Sequence, residues 1–485
     1  MEGRIVLDNG GFMKVQLPQK VDYIIDQLMK NGFEAYAVGG CVRDSILGKE
    51  PEDWDITTSA KPEEVKKIFK RTIDTGILHG TVTVMLEKDG YEVTTYRIDG
   101  EYEDNRHPKE VEFTANLVED LKRRDFTINA MAYNTQDGMV DIFGGLKDIE
   151  EGIIRCVGSA RDRFDEDALR ILRAIRFSAQ LGFEIEEYTL EAIKEKKENL
   201  KNISAERIRV EINKLLLSDH PDKLFIAYKT GITKVILPEF DIMMATEQFN
   251  HHHIYSVGVH TVKGIEVVGN TKEKLLNIEE LKGLDFQNHS CLFNSKDKLV
   301  LKWTLLLHDV EKPSCKLRGK DGEDHFYGHQ EKGAWTAKNI LRRLKFDNET
   351  MDKVVRLVKW HDYDFSLTSA GMRRAINKIG EDIMELLFEI KRADVLAQNP
   401  DTWEDKIRKI TEAETLFYQI EDKKECISLK MLAINGQDLI GLGLRPGKKI
   451  GDILNKLLER VLETPEYNEK DTLINLAKKY IKDSE

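Results

Sequence analysis

Asp53 and Asp55 stand two residues apart in Asp53-Trp54-Asp55, and alternate side chains of an extended strand share a face. Two carboxylates on one face form an all-oxygen cradle suited to Mg²⁺. Just upstream runs Ala37-Val38-Gly39-Gly40-Cys41-Val42-Arg43-Asp44. Paired glycines let backbone N–H groups approach a triphosphate because no Cβ blocks the way. A phosphate grip followed by a metal pair points to nucleotidyl transfer. A third carboxylate would complete a two-metal arrangement, one ion on the attacking hydroxyl and one on the leaving pyrophosphate. Glu92, alternating with Thr94 and Tyr96 in Tyr91-Glu92-Val93-Thr94-Thr95-Tyr96-Arg97, is the candidate. Taken alone it reads equally well as a surface strand glutamate.

These residues need elements to hold them. The stretches 35–38, 53–57, 81–86, 92–97, 111–113 and 139–142 are short β-prone runs bounded by turn residues. Helical spacing marks 21–31, 42–47 and 62–69. Together they predict a small mixed sheet with helices packed on it. From residue 165 onward the helical period takes over, at 165–181, 189–197 and 204–217, with Ser204 placed to cap the last. Further helices are expected from 221 to the C-terminus, with loops at 270–296 and 318–333.

The chain has 485 residues, enough for about three domains on the usual length prior. With 41% hydrophobic and 33% charged residues it reads as soluble and globular. No run approaches the roughly 18 apolar residues of a membrane span, and Met1-Glu2-Gly3-Arg4 does not open a signal peptide. Five scattered cysteines without C-x-x-C spacing read as reduced thiols of a cytoplasmic protein. The net charge of −12 excludes a uniformly basic surface, but local clusters can still meet nucleic acid. Lys122-Arg123-Arg124, Arg155 with Arg161 and Arg163, Arg170/Arg173/Arg176 and Arg207/Arg209 are such clusters. Each, by itself, is equally a solvated helix face.

The segment 34–57 resembles the active-site signature of class II polymerase-beta-type nucleotidyltransferases. Four later segments resemble that family's further motifs: Thr75-Gly76 with His79-Gly80-Thr81-Val82-Thr83; Leu121-Lys122-Arg123-Arg124-Asp125-Phe126-Thr127-Ile128-Asn129-Ala130-Met131; Asp141-Ile142-Phe143-Gly144-Gly145; and Phe164-Asp165-Glu166-Asp167-Ala168-Leu169-Arg170 through Phe177. In order and spacing they resemble the CCA-adding enzymes (tRNA nucleotidyltransferases). The resemblance implies that Gly40 and Arg43 contact the triphosphate, Asp53 and Asp55 hold Mg²⁺, and Arg124 binds the nucleotide. It further implies that Asp167 and Arg170 read the base, with Arg173 and Arg176 completing the pocket.

Residue chemistry agrees with base reading. A carboxylate accepts from an exocyclic amine and a guanidinium donates to a ring nitrogen or carbonyl. Cytosine and adenine offer an amine beside an acceptor, whereas uracil and guanine would leave groups unpaired. Asp167 and Arg170, at i and i+3, should be adjacent on one helix face, where they read equally as an ordinary helical ion pair. Arg176 should face well away from Asp167, reaching the pocket by its length or serving neck packing or tRNA phosphate. Residues 99–112, with Tyr102, Asp104, Arg106, His107 and Pro108, resemble the flexible loop of enzymes that add the terminal adenosine.

His260, His308-Asp309 and Asp394 follow the H…HD…D order of HD-type phosphohydrolases, and His329 and His361 could enlarge the set to two metals. Such a His/Asp mix suits Mn, Ni, Fe or Zn better than Mg. Glu311 stands where that family usually carries glycine, and the interval from His260 to His308 is long. The run His251-His252-His253 reads as a surface turn with one ring packed inward. Ile434-Asn435-Gly436 through Gly451 resembles the C-terminal segment of the CCA-adding enzymes, where glycine amides beside Lys448 and Lys449 could hold RNA phosphates. A plain inter-helix turn reads as well.

The expected class is α+β: a small mixed-sheet nucleotidyltransferase head (1–150), a helical neck with the base-reading helix (151–220), an HD-type helical body (221–430) and a helical tRNA-binding tail (431–485). The expected reaction is template-independent addition of C, C and A to tRNA from CTP and ATP, without a membrane partner. The alternatives are an A-adding enzyme or poly(A) polymerase, a metal phosphohydrolase acting through the body, and a non-catalytic RNA-binding protein.

Overall fold

The computed structural model describes residues 6–7, 13–100, 111–276 and 293–483. The chain divides into two compact units, 1–238 and 239–485. The first is built on a seven-stranded mixed sheet. Its strands are β1 (Ala35–Val38), β2 (Ile56–Thr58), β3 (Thr72–Gly76), β4 (Thr81–Leu86), β5 (Asp89–Thr95), β6 (Ala132–Asn134) and β7 (Gly138–Val140). Their order across the sheet is β7-β6-β1-β2-β5-β4-β3. Only β2 and β5 run parallel, in the register Ile56↔Val93. One residue back from that pair stand Asp55 and Glu92, so the crossover itself sets two carboxylates side by side. Each β-prone run overlaps a strand, although the run at 53–57 becomes strand only from Ile56, and β3 and β6 are unexpected additions.

Two apolar faces explain why the sheet forms. Helix α1 (Gln19–Lys30) turns Val21, Ile24, Ile25 and Leu28 into one core with Ile56, Val82, Val84 and Val93. Each such side chain contributes roughly 1.5–3 kcal/mol on burial. Helix α3 (Pro62–Ile68) adds Val65 to that core, and α2 (Gly40–Ile46) adds Cys41 and Val42. A second cluster of Tyr36, Val38, Tyr96 and Ala132 is covered by Leu117 and Leu121 from α4 (Leu117–Lys122).

Beyond α5 (Gly145–Glu151), the helical part comprises α6 (Ala160–Glu166), α7 (Leu169–Leu181), α8 (Glu187–Lys196) and α9 (Ala205–Leu216). The continuous helix expected over 165–181 is broken. Asp167 is extended (φ −134°, ψ 102°), and its Oδ1 accepts from the Leu169 N–H at 3.0 Å. A carboxylate that satisfies an orphan N–H favours a fresh helix start over continuation. Ser204 precedes α9 as expected, but its side chain makes no capping bond.

The second unit is helical: α10 (Val257–Val267), α11 (Ser295–Leu307), α12 (His329–Arg343), α13 (Asn348–Trp360), α14 (Ser369–Ile379), α15 (Met384–Leu396), α16 (Trp403–Asp422), α17 (Lys448–Glu463) and α18 (Lys470–Lys482) are its longer members. Leu439, Ile453, Leu457, Val461 and Leu473 form a core of their own at the C-terminal end. Among the described residues, no helix is long and apolar enough to cross a membrane.

An ion pair joins the sheet region to α7. Asp125, 7% exposed, accepts from Arg173 Nε at 2.7 Å and from Asn129 Nδ2 at 3.2 Å. Burial opposes its charge, but Arg173 and Arg170 outweigh that and hold the carboxyl down at about 2. An unfolded aspartate titrates near 4. The pair's contribution is therefore full above about pH 4 and lost as pH falls toward 2. Urea unfolding followed by circular dichroism should show Asp125→Asn less stable by about 2 kcal/mol at neutral pH, with the gap to wild type closing across that acid window.

Candidate active site

A cavity of about 700 Å³ in the first unit is lined by Gly39, Gly40, Arg43, Asp53, Asp55 and Arg124 on one side and by Arg173, Arg176 and Phe177 of α7 on another. Asp53 and Asp55 lie in the extended run leading into β2 rather than on the strand. The Asp55 carbonyl accepts from the Val38 N–H at 3.0 Å, which pins it beside the end of β1. Immediately after that end, Gly39 takes φ +84° and α2 begins. A Cβ on Gly39 would lie 3.2 Å from Arg124 Nη1.

Asp55 is solvent-exposed on its open side, yet surrounding protein and the neighbouring Asp53 raise its carboxyl above the ordinary value, against the pull of Arg124. Glu92, exposed on β5, is raised for the same reasons: surrounding protein first, then the charges of Asp55 and Asp53. These three acidic groups feel one another, as a cluster built to share a cation must. Glu92 reaches them through the β2–β5 register although it is not among the cavity-lining residues.

The cationic side is held from behind. Arg43, 8% exposed, donates from Nη1 to Asn129 Oδ1 at 2.6 Å and from Nε to Asp44 Oδ1 at 2.9 Å. Arg176 donates from Nε to the buried Glu211 of α9 at 2.6 Å. The Phe177 ring carries the guanidinium carbons of Arg176, Arg43 and Arg173 at 3.9, 5.0 and 5.3 Å from its centroid, a cation–π cluster that keeps three positive groups together. Arg176 therefore lines the cavity while anchored to Glu211, although its helix phase relative to Asp167 pointed elsewhere.

Asp167 and Arg170 differ from expectation. Asp167 is off the helix, and its Oδ2 accepts from Arg207 Nη2 at 2.8 Å. Arg170 donates from Nη1 to Glu166 Oε2 at 2.6 Å and from Nη2 to the Arg123 carbonyl at 2.9 Å. Neither lines the cavity. Asn129 and Phe177 received no role from sequence, although both sit inside quoted motifs. Lys214, on the cavity wall from α9, carried no signal at all. Of the 99–112 loop, residues 101–110, with Tyr102, Asp104, Arg106, His107 and Pro108, lie outside the described residues.

In the second unit the six predicted residues converge. His260 Nε2 lies 2.8 Å from Asp394 Oδ1, and His308 Nε2 lies 3.1 Å from Asp309 Oδ2 and 3.4 Å from Asp394 Oδ1. On the other side of Asp309, Oδ1 lies 3.5 Å from His329 Nε2 and 3.7 Å from His361 Nε2. The Nδ1 atoms of His308, His329 and His361 each donate to a backbone carbonyl at 2.7 Å. That tautomer turns the Nε2 lone pairs inward, as metal ligands require. Both Asp309 oxygens and His308 Nε2 are buried without a hydrogen-bond partner. Burial opposes a charge on His308, yet Asp309 and Asp394 push it up to about 10. Lys312 Nζ also lies 2.8 Å from Asp309 Oδ2, and the ligand atoms of His260, His308 and Asp309 on one side, and of Asp309, His329 and His361 on the other, lie close enough together to hold a cation each. Glu311 turns away: its Oε1 accepts from Thr336 at 2.6 Å and its Oε2 from Ser314. His251 is exposed and lies against His252 with the rings tilted by 46°, while the His253 ring packs edge-on against His260 at 4.9 Å.

A mixed sheet presenting clustered carboxylates to a glycine- and arginine-lined cavity defines a nucleotidyltransferase. Residues 35–155 match the family described as Poly A polymerase head domain, 182–244 the RNA and SrmB-binding site of polymerase A, and 332–477 tRNA nucleotidyltransferase domain 2. A CCA-adding enzyme of Ligilactobacillus salivarius is 36% identical over 463 residues, spanning 95% of this chain and 96% of that protein. One from Lactiplantibacillus plantarum is 35% identical over 467 residues, spanning 96% and 97%. Among solved structures, the Bacillus stearothermophilus CCA-adding enzyme in complex with CTP matches with a TM-score of 0.65 at 27% identity, covering 97% of this chain and 99% of that one. The chain belongs to the CCA-adding enzyme family of tRNA nucleotidyltransferases.

Gly39→Ala should raise the nucleotide KM about tenfold in steady-state kinetics, through strain of about 1–2 kcal/mol and displacement of Arg124. Gly32→Ala is the control, with φ +86° but nothing within 4 Å of its added Cβ. It should lose similar stability and keep the wild-type KM.

Proposed function

We propose that this chain adds C, C and then A to the 3′ end of tRNA, using CTP and ATP, in the cytoplasm. The single observation that carries the reading is the cavity in which a glycine turn and arginines face clustered carboxylates. The tRNA 3′-hydroxyl attacks the nucleotide α-phosphate and pyrophosphate leaves. Gly40 and Arg43 grip the triphosphate, and Arg124, Arg173 and Arg176 offset its negative charge. Asp53 and Asp55, with Glu92 as third carboxylate, hold Mg²⁺. When bound, the metal supplies Lewis-acid charge neutralisation and a lowered hydroxyl pKa. Asp167 and Arg170 read the base: each Asp167 oxygen keeps a second lone pair beyond its bonds to Leu169 and Arg207, free to accept from an exocyclic amine.

The six-residue cluster favours a second reading for the other unit. His260, His308, Asp309 and Asp394, with His329 and His361, hold a transition metal, Mn, Ni, Fe or Zn, and support a separate phosphohydrolase activity. The convergence of buried His and Asp ligand atoms on the two sides of Asp309 motivates it.

Incubation of tRNA lacking its 3′ end with each labelled nucleotide tests both. Wild type should incorporate C, C and one A. Asp53→Ala/Asp55→Ala should fall by about a thousandfold or more, and activity surviving in it would refute the assignment. His308→Ala/Asp309→Ala should incorporate normally but lose its bound transition metal by mass spectrometry. Unlimited A addition without C would instead mark a poly(A) polymerase.

The raised Asp55 and Glu92 carboxyls add a pH signature. Protons and metal compete for the same oxygens, so activity should fall on acidification above the ordinary carboxylate range. That acid limb should move to lower pH as Mg²⁺ is increased; a limb indifferent to Mg²⁺ would count against these ligands.

A further inference from the structure

Asp120 lies on α4, fully buried beneath the cavity wall, and its carboxylate is unusually crowded with donors. Oδ1 accepts from Arg123 Nε at 3.0 Å and Nη2 at 2.8 Å, and from the Arg97 N–H at 3.4 Å. Oδ2 accepts from Thr57 Oγ1 at 3.1 Å and from Arg124 Nη2 at 3.3 Å. Thr57 is two residues beyond Asp55 on β2, so the group behind Arg124 is tied to the strand that follows the acidic pair.

Arg124 occupies an awkward place. It lines the same cavity as Asp53 and Asp55, and its charge is the chief one lowering the Asp55 carboxyl. Among the described residues no ion pair joins Arg124 to Asp53 or Asp55; its one ion-pair partner is Asp120. Its Nε is buried without a partner, and Nη1 lies against Gly39, so little besides Asp120 fixes the guanidinium. A guanidinium freed from its counter-charge turns to the nearest carboxylates, because an unpaired buried charge is far less favourable than a paired one. The cavity that Arg124 lines offers it Asp53 and Asp55, the metal ligands.

We infer that Asp120 is a positioning residue for the transfer site: by holding Arg124 from behind, it keeps that cation aimed at the nucleotide and off Asp53 and Asp55, where it would compete with the divalent metal. This rests on the reading that Asp53 and Asp55 bind metal, and it adds a role for a carboxylate that touches neither metal nor nucleotide. A purely architectural Asp120 would alter stability and overall rate but not the metal requirement.

The test is the Mg²⁺ dependence of nucleotide incorporation, with Mn²⁺ binding followed by electron paramagnetic resonance in full-length chains that all also carry His308→Ala/Asp309→Ala, so that the histidine cluster of the second unit does not contribute to the signal. Asp120→Asn should raise the half-saturating concentration of both ions about tenfold. Asp120→Glu, which keeps the charge, should return it to within about twofold of wild type. In Asp120→Asn/Arg124→Ala the cavity-lining arginine is no longer there to collapse, and Arg123, which does not line the cavity, is the only Asp120-paired arginine left, so half-saturation should match Arg124→Ala alone. That double variant also removes both buried charges, and Asp120→Ser serves if the asparagine variant does not fold. An unchanged metal requirement in the folded Asp120 variants, or a shift that persists in the double variant, overturns the inference while leaving the metal assignment standing. Wild-type Mn²⁺ binding by Asp53→Ala/Asp55→Ala overturns both.

Discussion

Charge confined away from water must be answered by opposite charge, and the transfer site follows from that constraint. Asp53 and Asp55 lie close enough to Glu92, and Asp53 to Asp55, for their charges to help raise the Asp55 and Glu92 carboxyls. Such a cluster is unfavourable until a cation enters it, which is what suits it to a metal. The arginines opposite would neutralise the carboxylates themselves if left free. Instead each has its own fixed partner: Arg43 has Asn129 and Asp44, Arg124 has Asp120, Arg173 has Asp125 and Arg176 has Glu211. Buried acids behind the wall keep the bases in front of it oriented toward an anionic ligand.

The same physics recurs in the second unit with different ligands. Asp309 and Asp394 are held far below the usual carboxylate range despite burial, by the histidines beside them and, for Asp309, by Lys312. Carbonyl acceptors on the outer nitrogens of His308, His329 and His361 point the inner ones at Asp309. The first site uses hard oxygens and open access; the second uses nitrogen donors and near-complete burial. Those are the preferences that separate Mg²⁺ from later transition metals.

Much of the head was legible because strands and helices there obey their own periods. The alanines of β1 and the valines and isoleucine of β2, β4 and β5 mark an apolar face, and the helices on it carry apolar residues at helical spacing. Prediction failed where a side chain competes with the backbone. Asp167 caps the Leu169 amide and ends a helix that periodicity would continue, whereas Ser204, with the expected capping chemistry, makes no cap. Asn129 and Phe177 were visible as letters inside motifs, but what they do depends on which guanidinium lies against them. Glu311 shows the converse: it departs from the glycine expected there, yet it turns toward Thr336 and leaves the histidine cluster intact.

By itself the sequence determined the inventory: acidic pair, glycine turn, arginine-rich segments, histidine series and the order of elements carrying them. Residue type and short-range spacing settle these, since turn chemistry and apolar periodicity are local properties. Tertiary structure alone decided the pairings: Glu92 beside Asp55 through a parallel register, Asp120 behind Arg124, Glu211 beneath Arg176, and Asp309 between two histidine pairs. Electrostatic energy depends on distance and on exclusion of water. Both arise only when segments far apart in the chain close around the same charge.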